Sequence, residues 1–255
     1  MMALFSLRWI AVWRRNLLVW RKLAFTSVLG NLADPLIYLF GLGYGLGSLL
    51  SKVDGMPYLL FLASGSVCAS TMNGATFEAL YSAFSRMQVQ RTWDAILNAP
   101  VSLEDVVIGE WVWAASKALV AGAAILIVLT IMNLVHSPLV LWSLPILFIV
   151  GLTFAALGLI VTTLAPSFDF FMYYFTLFVT PMTMLSGVFF PLDQLPPAVQ
   201  TLAWLLPLTH GVALVRPLVL GVWPADIALH LAVLGATALA GLWLALHLAR
   251  RRLLR

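Results

Sequence analysis

Few side chains in this sequence are of a type that does chemistry, and their spacing limits what that chemistry is. The histidines, His136, His210, His230 and His247, are scattered and read as structural or solvated groups. No H-E-x-x-H, no G-x-S-x-G and no Cys/His pair at ligand spacing occurs, so no metal site or nucleophile–base constellation is expected. Cys68 is single and forms no intrachain disulfide. The lysines are Lys22, Lys52 and Lys117, and none follows a glycine-rich loop, so the chain has no P-loop with which to hold ATP. What remains is sparse. Glu110 and Lys117 lie on one helix face and are expected to form a buried charged pair. Asp34 would be costly inside a membrane span and is better placed at an interface, where Asp34-Pro35 breaks a helix. The aromatic run holding Phe170, Phe171, Tyr173, Tyr174 and Phe178 presents ring faces on which a sugar can stack, and these residues are candidates for a cargo path.

Lipid must solvate the elements that position these groups. Of 255 residues, 62% are hydrophobic and only 9% charged, with a mean hydropathy of +1.01. Soluble domains carry about 25% charged residues. The expected fold class is an all-α integral membrane protein, one domain over residues 1–255, with six transmembrane helices at 25–49, 58–83, 106–135, 139–164, 168–188 and 227–248. The first span holds Gly41, Gly43, Gly45 and Gly47, spaced for close helix approach, and the fourth holds Gly151, Ala155 and Gly158 at packing intervals. Pro181 is expected to interrupt the fifth. Residues 191–220 are cut by Pro191, Pro196, Pro197, Pro207 and Pro217 into apolar pieces of about 9 and 12 residues, too short to span and expected to re-enter one leaflet.

Two amphipathic stretches stand outside the spans. Over residues 3–22, Phe5, Trp9, Val12, Trp13, Leu17 and Trp20 share one face and Arg8, Arg14, Arg15, Arg21 and Lys22 the other, which suits a helix lying in the headgroup layer. Over residues 86–99, Val89, Trp93, Ile96 and Leu97 form an apolar stripe opposite Gln90, Arg91, Asp94 and Asn98. Pro100 ends that helix, and Ser102 with Asp105 starts the next. Of the 14 Lys and Arg, nine lie before the first span or after the last, where the chain ends in Arg250, Arg251, Arg252 and Arg255, and Arg86 and Arg91 flank the polar segment. The positive-inside rule then places both termini and that segment in the cytoplasm.

The segment RTWDAILNAPVSLEDVVIGEW resembles the cytoplasmic coupling segment of ABC-2 type exporter permeases, and LSGVFFPLDQLPPAVQTLAWLLPLTHGVALVRPLVLG resembles their signature region before the last span. The resemblance covers essentially the whole chain. WIAVWRRN, DPLIYLFGLGYGLG, QRTWDAIL and RRRLLR are similar to the branch that exports lipo-oligosaccharide nodulation signals. It implies a half-transporter in the bacterial inner membrane that pairs with a second copy of itself. Each copy would sit on a separate ATP-binding-cassette ATPase subunit, similar to nodulation protein I, which carries the ATP and Mg. It implies that Arg86, Val89, Arg91, Trp93, Asp94, Ile96 and Leu97 engage that subunit, with Val89, Trp93 and Ile96 as the apolar contact and Arg91 and Asp94 setting register. The alternatives are a permease of the same family for another amphiphile, or an ion-coupled secondary transporter, which would need ionisable groups at the midplane.

Overall fold

The computed structural model describes residues 6–50 and 52–253, without the side chain of Asp34. Phe5 and Arg255 therefore lie outside the described residues. Within them all regular structure is helical, apart from one bridge between Val53 and Met56. In chain order the helices are α1 (Trp9–Arg21), α2 (Ala24–Tyr38), α3 (Tyr58–Phe77), α4 (Thr92–Leu97), α5 (Leu103–Ile131), α6 (Ser143–Leu164), α7 (Phe170–Tyr174), α8 (Thr180–Leu185), α9 (Pro197–Ala203), α10 (Pro207–Leu220) and α11 (Ile227–Leu253). Wide π-helical turns extend α2 over Leu39–Tyr44, extend α3 over Glu78–Ser82 and Ser85–Val89, and join α7 to α8 over Phe175–Val179.

Among the described residues four helical stretches are long and apolar enough to cross a membrane: Ala24–Ser48, Leu103–Ile131, Pro138–Leu164 and Ile227–Leu253. A fifth is added if α9 and α10, bent by 85° at their junction, form one broken span. The chain is a multi-pass membrane protein. The helix from Phe170 to Leu185 is shorter than these, and α3 is set apart by its polarity. Buried at almost every position, α3 carries serines and threonines that satisfy themselves on carbonyls one turn back: Ser64 on Phe61 (2.8 Å), Ser66 on Leu62 (2.7 Å) and Thr71 on Val67 (2.9 Å). These three hydroxyls thus cost little in a low-dielectric interior, whereas that of Thr76, buried on the same helix, finds no partner among the described residues.

Small residues bring the surrounding helices close. A methyl at Gly151 of α6 would lie 3.0 Å from the Cα of Ala115 on α5, one at Gly158 2.7 Å from the Cβ of Ala79, and one at Gly241 of α11 3.0 Å from the Cβ of Ala156. Between lipid-solvated helices such contact replaces the hydrophobic drive. The glycine series of α2 behaves differently. Gly43 packs on Leu59, a methyl there lying 3.8 Å from the Leu59 Cα, while Gly41 and Gly45 face open space, so only that one glycine of the three draws a neighbouring helix close among the described residues.

Two sequence expectations are corrected. Prolines do not break the helices: Pro35 lies inside α2 and Pro217 inside α10, and the π turn before Pro181 makes room for its ring, so the chain stays helical from α7 to α8. Nor does the indole face of α1 meet the headgroups. Trp13 donates to Ser116 (3.1 Å), Trp20 meets the edge of Trp113 with centroids 5.9 Å apart, and Val12 is buried against Gly109, so this face packs on α5. Ile10, Leu18 and Val19 point outward instead, together with Arg14. The basic C-terminal end also packs on the bundle. Arg252 donates Nη1 to the carbonyls of Thr163 and Ala165 (both 2.8 Å) at the end of α6, where unsatisfied carbonyls favour a cation.

Gly151→Val is expected to lower the melting temperature of the detergent-solubilised protein, by the about 1–3 kcal/mol typical of overpacking. Gly45→Ala, made where space is open, is expected to leave it unchanged. A differential scan of the two variants checks this.

Candidate functional site

Glu78, on the extension of α3, accepts from Arg86 Nη2 (2.8 Å), Lys117 Nζ (2.7 Å) and Trp113 Nε1 (2.7 Å). Glu110 on α5 accepts from Arg86 through both Nε (2.9 Å) and Nη2, and from Trp93 Nε1 (3.2 Å). Both carboxylates are at most 3% exposed. Two acids and two bases thus cancel, and two indole N–H groups occupy further lone pairs, which a buried ion cluster requires. Arg15 of α1 lies within reach of the same field. Burial first, and then the like charge of Arg86, hold its guanidinium below its ordinary value, with Glu110 opposing.

The expected direct pair of Glu110 with Lys117 does not form. Seven residues along a helix are about 10 Å apart, so the two share a face without meeting. Each finds its partner on α3 instead, Arg86 for Glu110 and Glu78 for Lys117. Arg86 is accordingly not part of the short polar helix. That helix begins only at Thr92, after Arg91 turns the chain with a left-handed φ of 50°. Trp93 is corrected likewise. Expected to offer its ring outward, it is fully buried, because its N–H is spent on Glu110. Val89, Arg91 and Asp94 are exposed, and Ile96 and Leu97 half-buried. The next helix starts as its sequence requires: Ser102 accepts from the Asp105 N–H (3.2 Å) and Asp105 accepts from the Ser102 N–H (3.0 Å).

On the far side of Lys117 opens a cavity of about 660 Å³ between α2, α3 and the α7–α8 helix. Polar groups line one part of it (Asn31, Ser66, Ser70, Asn73, Thr180, Thr183) and aromatic rings another (Tyr38, Phe77, Tyr81, Phe175, Phe189). Phe77 packs at 4.7 Å on Phe175 and at 5.5 Å on Tyr81, centroid to centroid. This size and mixture suit an amphiphilic ligand.

The aromatic residues singled out in the sequence do not line this cavity. Phe171 is buried against Tyr81 and Phe84. Phe170, Tyr173 and Phe178 are exposed on the outer surface, and Tyr174 stacks on Phe178. The ring that does line it, Phe175, lies one helical turn beyond Phe171 on the same face, both against Tyr81. Missed as well were Tyr81 and Asn73, whereas Glu78, readable as an acid near the end of the second span with Arg86 in reach, does bond Arg86 and also takes Lys117 and Trp113. The signal for Glu78 is that an acid beside a span demands a cation, and Arg86 lies two turns further along. His210 and His230, expected to stand apart, meet with their Nδ1 atoms 2.8 Å from one another.

Against known proteins, the model of the ABC-2 type transporter family matches residues 7–220. The chain belongs to the ABC-2 type transporter family. Nodulation protein J of Rhizobium leguminosarum bv. viciae is 51% identical over 98% of this chain and 96% of its own length. Nodulation protein J of Rhizobium meliloti (strain 1021) is 48% identical over 96% and 94%. The inner membrane transport permease YadH of Escherichia coli (strain K12) is 25% identical over 81% and 82%. This ABC-2 chain is thus a membrane transport permease, similar over nearly its full length to nodulation protein J.

Removing a member of the charge network is expected to cost far more than removing a surface ion pair. Glu78→Ala leaves Arg86 and Lys117 short of an anion in a buried site, worth about 3–5 kcal/mol. Arg250→Ala opens the exposed bridge to Glu104 (2.6 Å), worth at most about 1 kcal/mol. Melting temperatures in one detergent, compared for the two variants, test the contrast.

Proposed function

We propose that this chain is the membrane half of an exporter that moves a lipo-oligosaccharide out across the bacterial inner membrane, driven by ATP and Mg bound on a separate cassette subunit similar to nodulation protein I. The observation that carries this reading is the unbroken line of contacts from α4 to the cavity wall: Trp93 to Glu110, Glu110 to Arg86, Arg86 to Glu78, Glu78 to Lys117. A push on α4 reaches the cavity through charge-assisted bonds, without crossing a soft apolar layer. Lys117 is at once the last member of that line and a lining residue of the cavity.

The motor docks from the side of the molecule that carries α4. The same end gathers α1, where Arg8 donates to the Pro100 carbonyl (2.8 Å), and the Arg250–Glu104 bridge. Its basic character supports a cytoplasmic face with both termini inside. Six crossings satisfy that orientation if α3 and the α7–α8 helix each span and α9–α10 re-enters from outside. The motor contact falls to the exposed residues Val89, Arg91 and Asp94 and the half-buried Ile96 and Leu97, with Trp93 as the anchor behind them. A sugar fits the cavity by stacking on Phe77, Tyr81 and Phe175 while Asn31, Ser70 and Asn73 meet its hydroxyls. A second copy of the chain closes the open side between α2 and α7–α8.

ATP-dependent transfer of a labelled lipo-oligosaccharide across vesicles containing both subunits tests the reading, and no transfer above protein-free vesicles would sink it. Val89→Asp is expected to abolish ATP-driven transfer while the melting temperature stays unchanged. Tyr81→Ala with Phe175→Ala is expected to weaken substrate binding several-fold, at about 1 kcal/mol per ring contact. Tyr173→Ala with Tyr174→Ala is expected to leave it intact. Tracer uptake and an equilibrium binding assay distinguish these outcomes.

A further inference from the structure

Arg216 of α10 is a cation set among neutral partners. Its Nε donates to Ser64 Oγ (3.0 Å), its Nη2 to the carbonyl of Gly187 (2.6 Å), and its guanidinium carbon lies 3.8 Å from the centroid of the Phe61 ring. Among the described residues no carboxylate lies within ion-pair distance of it, Asp54 acting on it only from further off. Its Nη1 takes no protein acceptor there either.

Beside this side chain lies a small cavity of about 140 Å³, lined by Ser186, Gly187, Leu192, Trp204, Thr209 and Arg216 among others. Ser186 is 1% exposed, and its hydroxyl has no hydrogen-bond partner. The backbone is shaped around the spot. Gly187, with φ of 73°, is left-handed and so turns its carbonyl onto Arg216. The bend between α9 and α10 brings Trp204 over the opening. A buried hydroxyl without a partner and a guanidinium without a direct counter-ion are each costly. A water would satisfy the hydroxyl and leave the charge. One oxyanion satisfies both, and the planar fork of Arg suits phosphate geometry.

We propose that Arg216 and Ser186 form an oxyanion subsite that takes a single phosphate group. Nη1 and the Ser186 hydroxyl donate to its oxygens, and Trp204 and Leu192 shield it. The inference is independent of the cargo cavity and of the motor, because the two cavities share no lining residue. A phospholipid headgroup and free inorganic phosphate present the same chemistry here, and the experiment separates them.

The test uses the purified full chain in detergent, exchanged with phosphatidylglycerol and observed by native mass spectrometry, with inorganic phosphate as competitor. The wild type is expected to retain one phospholipid. Ser186→Asp places a carboxylate in the cavity and is expected to reduce retention about ten-fold, the loss of a charge-assisted bond, while the melting temperature holds or rises. Arg216→Lys keeps the charge without the fork and is expected to weaken retention, providing a second reading should Ser186→Asp fold poorly. Displacement by inorganic phosphate identifies a site that reads phosphate alone. Binding that resists displacement identifies the lipid headgroup as the ligand. Equal retention by the wild type and a folded variant, or no binding of lipid or phosphate to the wild type, would overturn the proposal.

Discussion

Arg86 sits between two buried carboxylates and belongs to neither alone. It bonds Glu78 on its own helix and Glu110 on α5, and through them it ties Lys117, Trp113 and Trp93 into one cluster. Burial of four charges is expensive, and the cluster persists because they cancel and the carboxylates accept further N–H groups. Its value to the fold is less in net stability than in register. Only one placement of α3 against α5, with α4 tucked beneath, satisfies every member. α1 is seated by the same constraint, because Trp20 rests on Trp113 and Arg15 feels both Arg86 and Glu110.

Around that fixed point the bundle reconciles two opposing demands. α3 must carry enough polarity to line a cavity suited to an amphiphile, yet sit deep among apolar helices. Ser64, Ser66 and Thr71 bond their own backbone, its glycines and alanines admit α5 and α6 closely, and Asn73 and Ser70 are left to the cavity. Because the cavity lies between α3 and thinly packed neighbours, its walls differ in stiffness. One side is the buried α3, and the other is the α7–α8 helix with its wide turn.

Much of the fold was legible from the sequence, for identifiable reasons. Helix content follows from long apolar runs, and the start of α5 from Ser102 and Asp105, because both signals are local. Gly151 and Gly158 were readable as packing positions for the same reason. The site was less legible. Glu110 and Lys117 do share a face, but spacing alone does not show that each turns to a different partner across the helix gap. Trp93 fits an amphipathic stripe on a wheel, yet whether such a ring faces a partner or its own protein depends on Glu110, seventeen residues on. The aromatic run on α7 misled because only one stripe of it, Phe171 and Phe175, turns inward onto Tyr81, and of the two Phe175 alone lines the cavity. Pairing of His210 with His230 is likewise a tertiary fact.

The joint between α3 and α4 is made by Arg91 rather than by glycine, with φ of 50°. For a residue with a Cβ that conformation costs roughly 1–2 kcal/mol. The right-handed and extended regions lie lower, so the shape persists because both arms are held, Arg86 on Glu78 and Glu110 and Trp93 on Glu110. The elbow is therefore stiff rather than loose: α4 behaves as a short crank fixed to the shaft of α3, and little displacement at its tip is lost as slack before it turns the helix above.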